Sequence, residues 1–99
     1  MIEYIREQLS QEELLCQLAE EAAELAQAAL KLRRVYDGSN PTPVKRSEAY
    51  DNLKEEIADI ILVLNVLDFD IMPHEQMQII NFKLQRWASR LKAARQEET

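Results

Sequence analysis

The residues that break helices are confined to two places in this chain. The single glycine, Gly38, lies beside Pro41 and Pro43, and the third proline, Pro73, stands alone much further on. Glycine and proline are the residues least compatible with a helix interior. The long stretches on either side of these breaks are therefore free to run as uninterrupted helices. They are filled with Ala, Leu, Glu, Gln, Lys and Arg, the residues that lose least on entering a helix.

Local signals place the ends. Ser10-Gln11-Glu12-Glu13 reads as a capping box, in which the Ser10 hydroxyl accepts from the Glu13 N–H. Ile2 to Gln8 forms a short lead-in helix before it. After it, Leu15, Leu18, Ala22, Leu25, Ala29 and Leu32 recur every three or four residues, which predicts one apolar face of a long helix. Asp37-Gly38 closes that helix, because glycine alone enters the left-handed region without penalty. Ser39 to Arg46 reads as a loop, with Ser47 capping the next helix.

The stripe of that second long helix is Leu53, Ile57, Ile60, Leu64 and Leu67, but from Ile60 to Leu67 the apolar residues go nearly all the way round. A helix with this property is expected to be surrounded by protein. Asp68 to Met72 turns the chain, and Pro73 suits a helical first turn. The last stripe is Met77, Ile80, Leu84, Trp87 and Leu91, which predicts Trp87 in a core. The polar tail from Ala94 to Thr99 is expected to fray. Three long helices in one 99-residue domain cannot sheathe an all-round apolar segment. The expected architecture is thus all-α, an antiparallel helical bundle over residues 1–99. Oligomerisation completes it, as a homodimer or homotetramer.

Charge and composition exclude several roles. The formal net charge is −6, so phosphates of a nucleic acid are repelled. The apolar run from Ile60 is far too short for a bilayer. Cys16 has no partner for a disulfide, and Met1-Ile2-Glu3-Tyr4 lacks the order of a secretory signal. A cytoplasmic location is expected. An anionic ligand would need a cation to invert the local sign.

The sequence offers a place for one. Glu20, Glu21 and Glu24 lie on the first long helix, and Glu55, Glu56 and Asp59 on the second. Glu21 and Glu24 are three apart, as are Glu56 and Asp59, so each pair projects to one side of its helix. Glu21 flanks the apolar face between Leu14, Leu18, Leu25 and Ala28. Asp59 stands one turn before the helix becomes apolar all round, a costly position for a lone carboxylate. If the two pairs face each other at about 4 Å, each pair of charges costs about 4 kcal/mol at an effective dielectric of roughly 20. Protonation or a dication must relieve that. Oxygen-only ligands suit Mg²⁺ or Mn²⁺ rather than zinc. His74, the only histidine, reads as a surface residue at a helix start.

Glu20-Glu21-Ala22-Ala23-Glu24-Leu25 followed by Glu55-Glu56-Ile57-Ala58-Asp59 resembles the Glu-Glu-x-x-Glu and Glu-x-x-Asp signature of the MazG-like all-alpha nucleoside triphosphate pyrophosphohydrolases. The resemblance spans about residues 10 to 92 and includes Ala28, Lys31 and the segment Asn81 to Trp87. It implies an oligomeric helical bundle that hydrolyses nucleoside triphosphates to monophosphate and pyrophosphate. It implies Glu21, Glu24, Glu56 and Asp59 as Mg²⁺ ligands and Glu20 as the group that orients or deprotonates the attacking water. It implies Lys31, Asn81, Lys83 and Arg86 on the substrate side. Two other readings stay open: a phosphoribosyl-ATP pyrophosphohydrolase, and a non-catalytic helical oligomerisation or adaptor module.

Overall fold

The computed structural model describes residues 1–40, 44–67 and 73–98, and the described residues form four helices and no strand. These are α1 (Ile2–Gln8), α2 (Gln11–Asp37), α3 (Arg46–Val66) and α4 (Pro73–Glu98). The expected turn over Asp68 to Met72 and the loop's centre, Pro41 to Pro43, lie outside the described residues. None of the described helices is long and apolar enough to cross a membrane. The chain divides into two compact units, Met1–Asp68 and Phe69–Thr99.

In the first unit, Ser10 caps α2 as expected, its hydroxyl accepting from the Glu13 N–H at 3.1 Å. Gly38 ends α2 with φ 76°, and its N–H reaches the Arg34 carbonyl. The start of α3 differs from expectation. The residue before its first turn is Lys45, whose side chain makes no cap, and Arg46 and Ser47 already lie inside the helix. Arg46 begins the helix with its guanidinium 4.3 Å from the centre of the Tyr36 ring, one turn beyond the buried Leu32 and Ala49 and at the opposite end of the hairpin from the main apolar core.

That core joins Leu14, at the start of α2, to Val63, Val66 and Leu67, at the end of α3, with Ile5 and Leu18 against it. The start of one helix therefore meets the end of the other, and α2 and α3 run antiparallel. The facing residues follow a spacing of alternating four and three. On α2 they are Leu14, Leu18, Glu21, Leu25, Ala28, Leu32 and Val35, all buried or half-buried. On α3 they are Ala49, Leu53, Glu56, Ile60, Val63 and Leu67. This is the seam of two helices meeting along one stripe. It corrects the expected faces: Leu15, Ala22 and Ala29 on α2, and Ile57 and Leu64 on α3, are exposed.

The short helix α1 is fastened across the end of α3 by Arg6. Its guanidinium donates to the carbonyls of Val66 (2.8 Å) and Asn65 (2.7 Å). Those carbonyls belong to the last turn, where helical partners run out and the helix dipole is negative.

The second unit contains α4. Pro73 opens it, as the missing N–H of proline permits. The tail does not fray at Ala94; α4 continues to Glu98. Trp87 is 65% exposed rather than set in a core, and Met77, Ile80, Leu84 and Leu91 are likewise exposed.

Candidate metal centre

Two positions in the α2–α3 seam are occupied by glutamate where the spacing calls for an apolar residue. Glu21 interrupts the run from Leu18 to Leu25, and Glu56 the run from Leu53 to Ile60. Each is accompanied by a second acid three residues on, Glu24 and Asp59. Because the helices are antiparallel, the two pairs meet. Glu21, Glu24, Glu56 and Asp59 each offer a carboxylate oxygen, and these oxygens all lie within 4.8 Å of one another. Three of the four residues are half-buried and Glu24 is exposed.

The surroundings do little to satisfy this charge. Gln17 donates its amide N–H to one oxygen of Glu21 at 2.7 Å. The other oxygen of Glu21, and one oxygen of Glu56, are shielded from solvent with no hydrogen-bond partner among the described residues. Burial pushes the Glu21 carboxyl above its ordinary value; the Gln17 hydrogen bond opposes this, and Glu24 and Asp59 push it further up. Buried oxygens are rarely left without a partner. An all-carboxylate donor set with two unpartnered, shielded oxygens suits a hard, oxygen-preferring dication such as Mg²⁺ or Mn²⁺.

The clefts on either side of this layer differ. Towards α1 lies one of about 230 Å³, walled by apolar side chains including Leu9, Leu14, Leu62 and Val66, with Gln17, Glu21 and Asp59 at its polar margin. Towards the α2–α3 connection lies one of about 430 Å³, lined by Glu24, Gln27, Ala28, Lys31, Asn52 and Glu56. Each cleft thus contains two of the four clustered acids.

The other residues singled out from the sequence are distributed as follows. Lys31 lines the larger cleft. Glu20 is exposed on α2, outside the group of four. Asn81, Lys83 and Arg86 are exposed on α4, in the second unit. Lys83 and Arg86, three apart, share one side of that helix, whereas Asn81 and Lys83, two apart, do not. Arg86 lies 5.7 Å from the centre of the Phe82 ring. His74 and Cys16 are exposed. Sequence reasoning missed Gln27 and Asn52. The available signal was their phase: Gln27 is one turn beyond Glu24, and Asn52 one turn before Glu56.

Comparison of the chain with protein-family models, with curated proteins and with solved structures gives no match.

Proposed function

We propose that the chain is a metal-dependent nucleoside triphosphate pyrophosphohydrolase, cleaving between the α- and β-phosphates to release monophosphate and pyrophosphate. The observation that carries this reading is the carboxylate layer: four acids from two antiparallel helices, converging where the helical seam should be apolar. Glu21, Glu24, Glu56 and Asp59 are the proposed holders of Mg²⁺, with Mn²⁺ able to substitute. A bound dication would supply neutralisation of the triphosphate and a lowered pKa for a coordinated water. The motif resemblance then gives Glu20 the orientation or deprotonation of the attacking water. It gives Lys31, which lines the cleft beside Glu24 and Glu56, the substrate's phosphates. Removal of non-standard or surplus nucleotides in the cytoplasm, by a homodimer or homotetramer, is the role that fits this chemistry.

The test has two arms. Mg²⁺ at 100 times its dissociation constant is expected to stabilise the protein by about 2.7 kcal/mol. Pyrophosphate, not orthophosphate, is expected from at least one member of a panel of NTPs and dNTPs. Orthophosphate as the first product places the attack at the γ-phosphorus and overturns the reading. So does a melting temperature indifferent to both Mg²⁺ and Mn²⁺.

The exposed apolar stripe of α4, which includes Trp87, favours a second reading, a helical assembly module whose acids are structural. That reading expects no product across the panel and no stabilisation by either cation.

A further inference from the structure

The two clefts beside the carboxylate layer are chemically unlike, and a nucleotide has chemically unlike ends. Resting on the function proposed above, we infer that the substrate lies along the α2–α3 seam in one direction. Its base enters the apolar cleft beside α1, and its β- and γ-phosphates enter the polar cleft at Lys31, Gln27 and Asn52.

Three observations fix the direction. The first is the lining. The cleft towards α1 is walled by Leu9, Leu14, Leu62 and Val66, with one amide, Gln17, at the margin by Glu21. Apolar walls with one amide and two carboxylates, Glu21 and Asp59, at the margin suit a flat heterocycle and penalise a phosphate, which must be paired when it leaves water. The opposite cleft offers two side-chain amides, Gln27 and Asn52, and the ammonium of Lys31. Those donors suit phosphate oxygens.

The second is the availability of cations. Arg6 is the basic residue beside the apolar cleft, and its guanidinium is committed to the carbonyls of Asn65 and Val66 and to Glu3. Lys31 makes no ion pair among the described residues and lines the cleft that also contains Glu24 and Glu56. The cation at one end closes a helix, while the cation at the other is available to an anionic ligand.

The third is continuity. Glu21 and Asp59 border the apolar cleft, and Glu24 and Glu56 border the polar one. A ligand reaching from one cleft to the other must pass the carboxylate layer with its middle. In a nucleoside triphosphate with the base at one end and the γ-phosphate at the other, that middle includes the α-phosphate. The orientation brings the bond to be cleaved to the four acids. It also gives Gln27 and Asn52, side chains with no other evident task, the role of receiving the pyrophosphate portion.

The experiment separates the two ends with two probes. Inorganic tripolyphosphate has no base; an α,β-imido dNTP has both ends and resists cleavage. Binding of each is measured by calorimetry with Mg²⁺ present, on the full chain and on variants at half-buried or exposed positions. Lys31→Met and Asn52→Ala are expected to weaken both probes by about tenfold, with Lys31→Arg restoring most of the loss. Leu62→Trp, which fills the apolar cleft, and Leu62→Ala, which removes part of its wall, are expected to weaken the dNTP analogue severalfold and leave tripolyphosphate unchanged. Melting curves with Mg²⁺ verify that each variant folds and keeps its response to the cation. If Leu62 variants weaken tripolyphosphate, or Lys31→Met weakens neither probe, the orientation is overturned while the metal-dependent hydrolase stands. If the parent protein binds neither probe with Mg²⁺, both proposals fall.

Discussion

At the scale of single residues, Asp59 and Glu20 have different roles in the proposed chemistry, and substitution can separate them. Asp59 is one of the four whose oxygens lie within 4.8 Å of each other. Asp59→Asn keeps the shape and removes a charge from a crowded site, so the variant is expected to fold at least as stably without metal. Hydrolysis is expected to fall to near background, because charge neutralisation and leaving-group stabilisation depend on the cation. Glu20 lies outside that group. Glu20→Gln is therefore expected to keep its stabilisation by Mg²⁺ while turnover falls by roughly 10²–10⁴-fold. Pyrophosphate release and melting curves, run on both variants, read the two effects apart. A Glu20→Gln protein that no longer responds to Mg²⁺ would move Glu20 among the ligands.

Glu21 adds a pH dependence. Burial and its acidic neighbours raise its carboxyl above the ordinary value of 4.5. The folded state then holds this proton more tightly than the unfolded chain does. The stability it contributes is fully present below the ordinary value and is lost as pH rises through the raised one. Without metal, the parent should lose more stability than Glu21→Gln as pH rises above about 4.5. A denaturant titration at each pH measures the gap between the two proteins, and a gap that does not change with pH would contradict the assignment.

At the scale of elements, what the sequence disclosed depended on contrast. The cap at Ser10, the stop at Gly38 and the start at Pro73 were legible because single residues with special backbone chemistry mark them. On α2 the expected face shares Leu18, Leu25 and Leu32 with the seam but takes Leu15, Ala22 and Ala29 in place of Leu14, Glu21 and Ala28. Leu14 and Leu15 are adjacent, and alanines at 22, 23, 26, 28 and 29 blur the circumference, so several stripes satisfy a three-and-four spacing. The true seam includes Glu21 and Glu56, which an apolar search passes over. Placing both at seam positions would have corrected the phase, because their partners at 24 and 59 then face each other. The pairing of α1 with the end of α3 was illegible, because Arg6 lies about sixty residues from the carbonyls it caps. Two charge-assisted bonds from a partly exposed arginine suggest that Arg6→Met costs about 1–2 kcal/mol. Urea unfolding would measure it. A loss below a few tenths of a kcal/mol would show that α1 is held by Ile5 and its apolar neighbours alone.

At the scale of the whole molecule, apolar surface remains to be covered in both units. In the first, the side of α3 away from the seam exposes Ile57, Ile61 and Leu64, each between 42 and 53% accessible. In the second, α4 exposes Ile80, Leu84, Trp87 and Leu91, each between 46 and 65%. Single exposed apolar residues are ordinary, but these recur every three or four positions and so form continuous stripes, which in water mark interaction surfaces. A small domain has few internal ways to bury two of them. The expectation is a homodimer or homotetramer at micromolar concentration, read by sedimentation velocity. Ile61→Lys places a charge in the α3 stripe without touching Glu56 or Asp59, and Trp87→Lys does the same on α4. If the stripes are interfaces, each variant should shift the sedimentation coefficient towards that of the monomer, with the shift growing on dilution. If the parent sediments as a monomer at micromolar concentration, the stripes are not interfaces between copies, and neither Ile61→Lys nor Trp87→Lys should change the sedimentation coefficient.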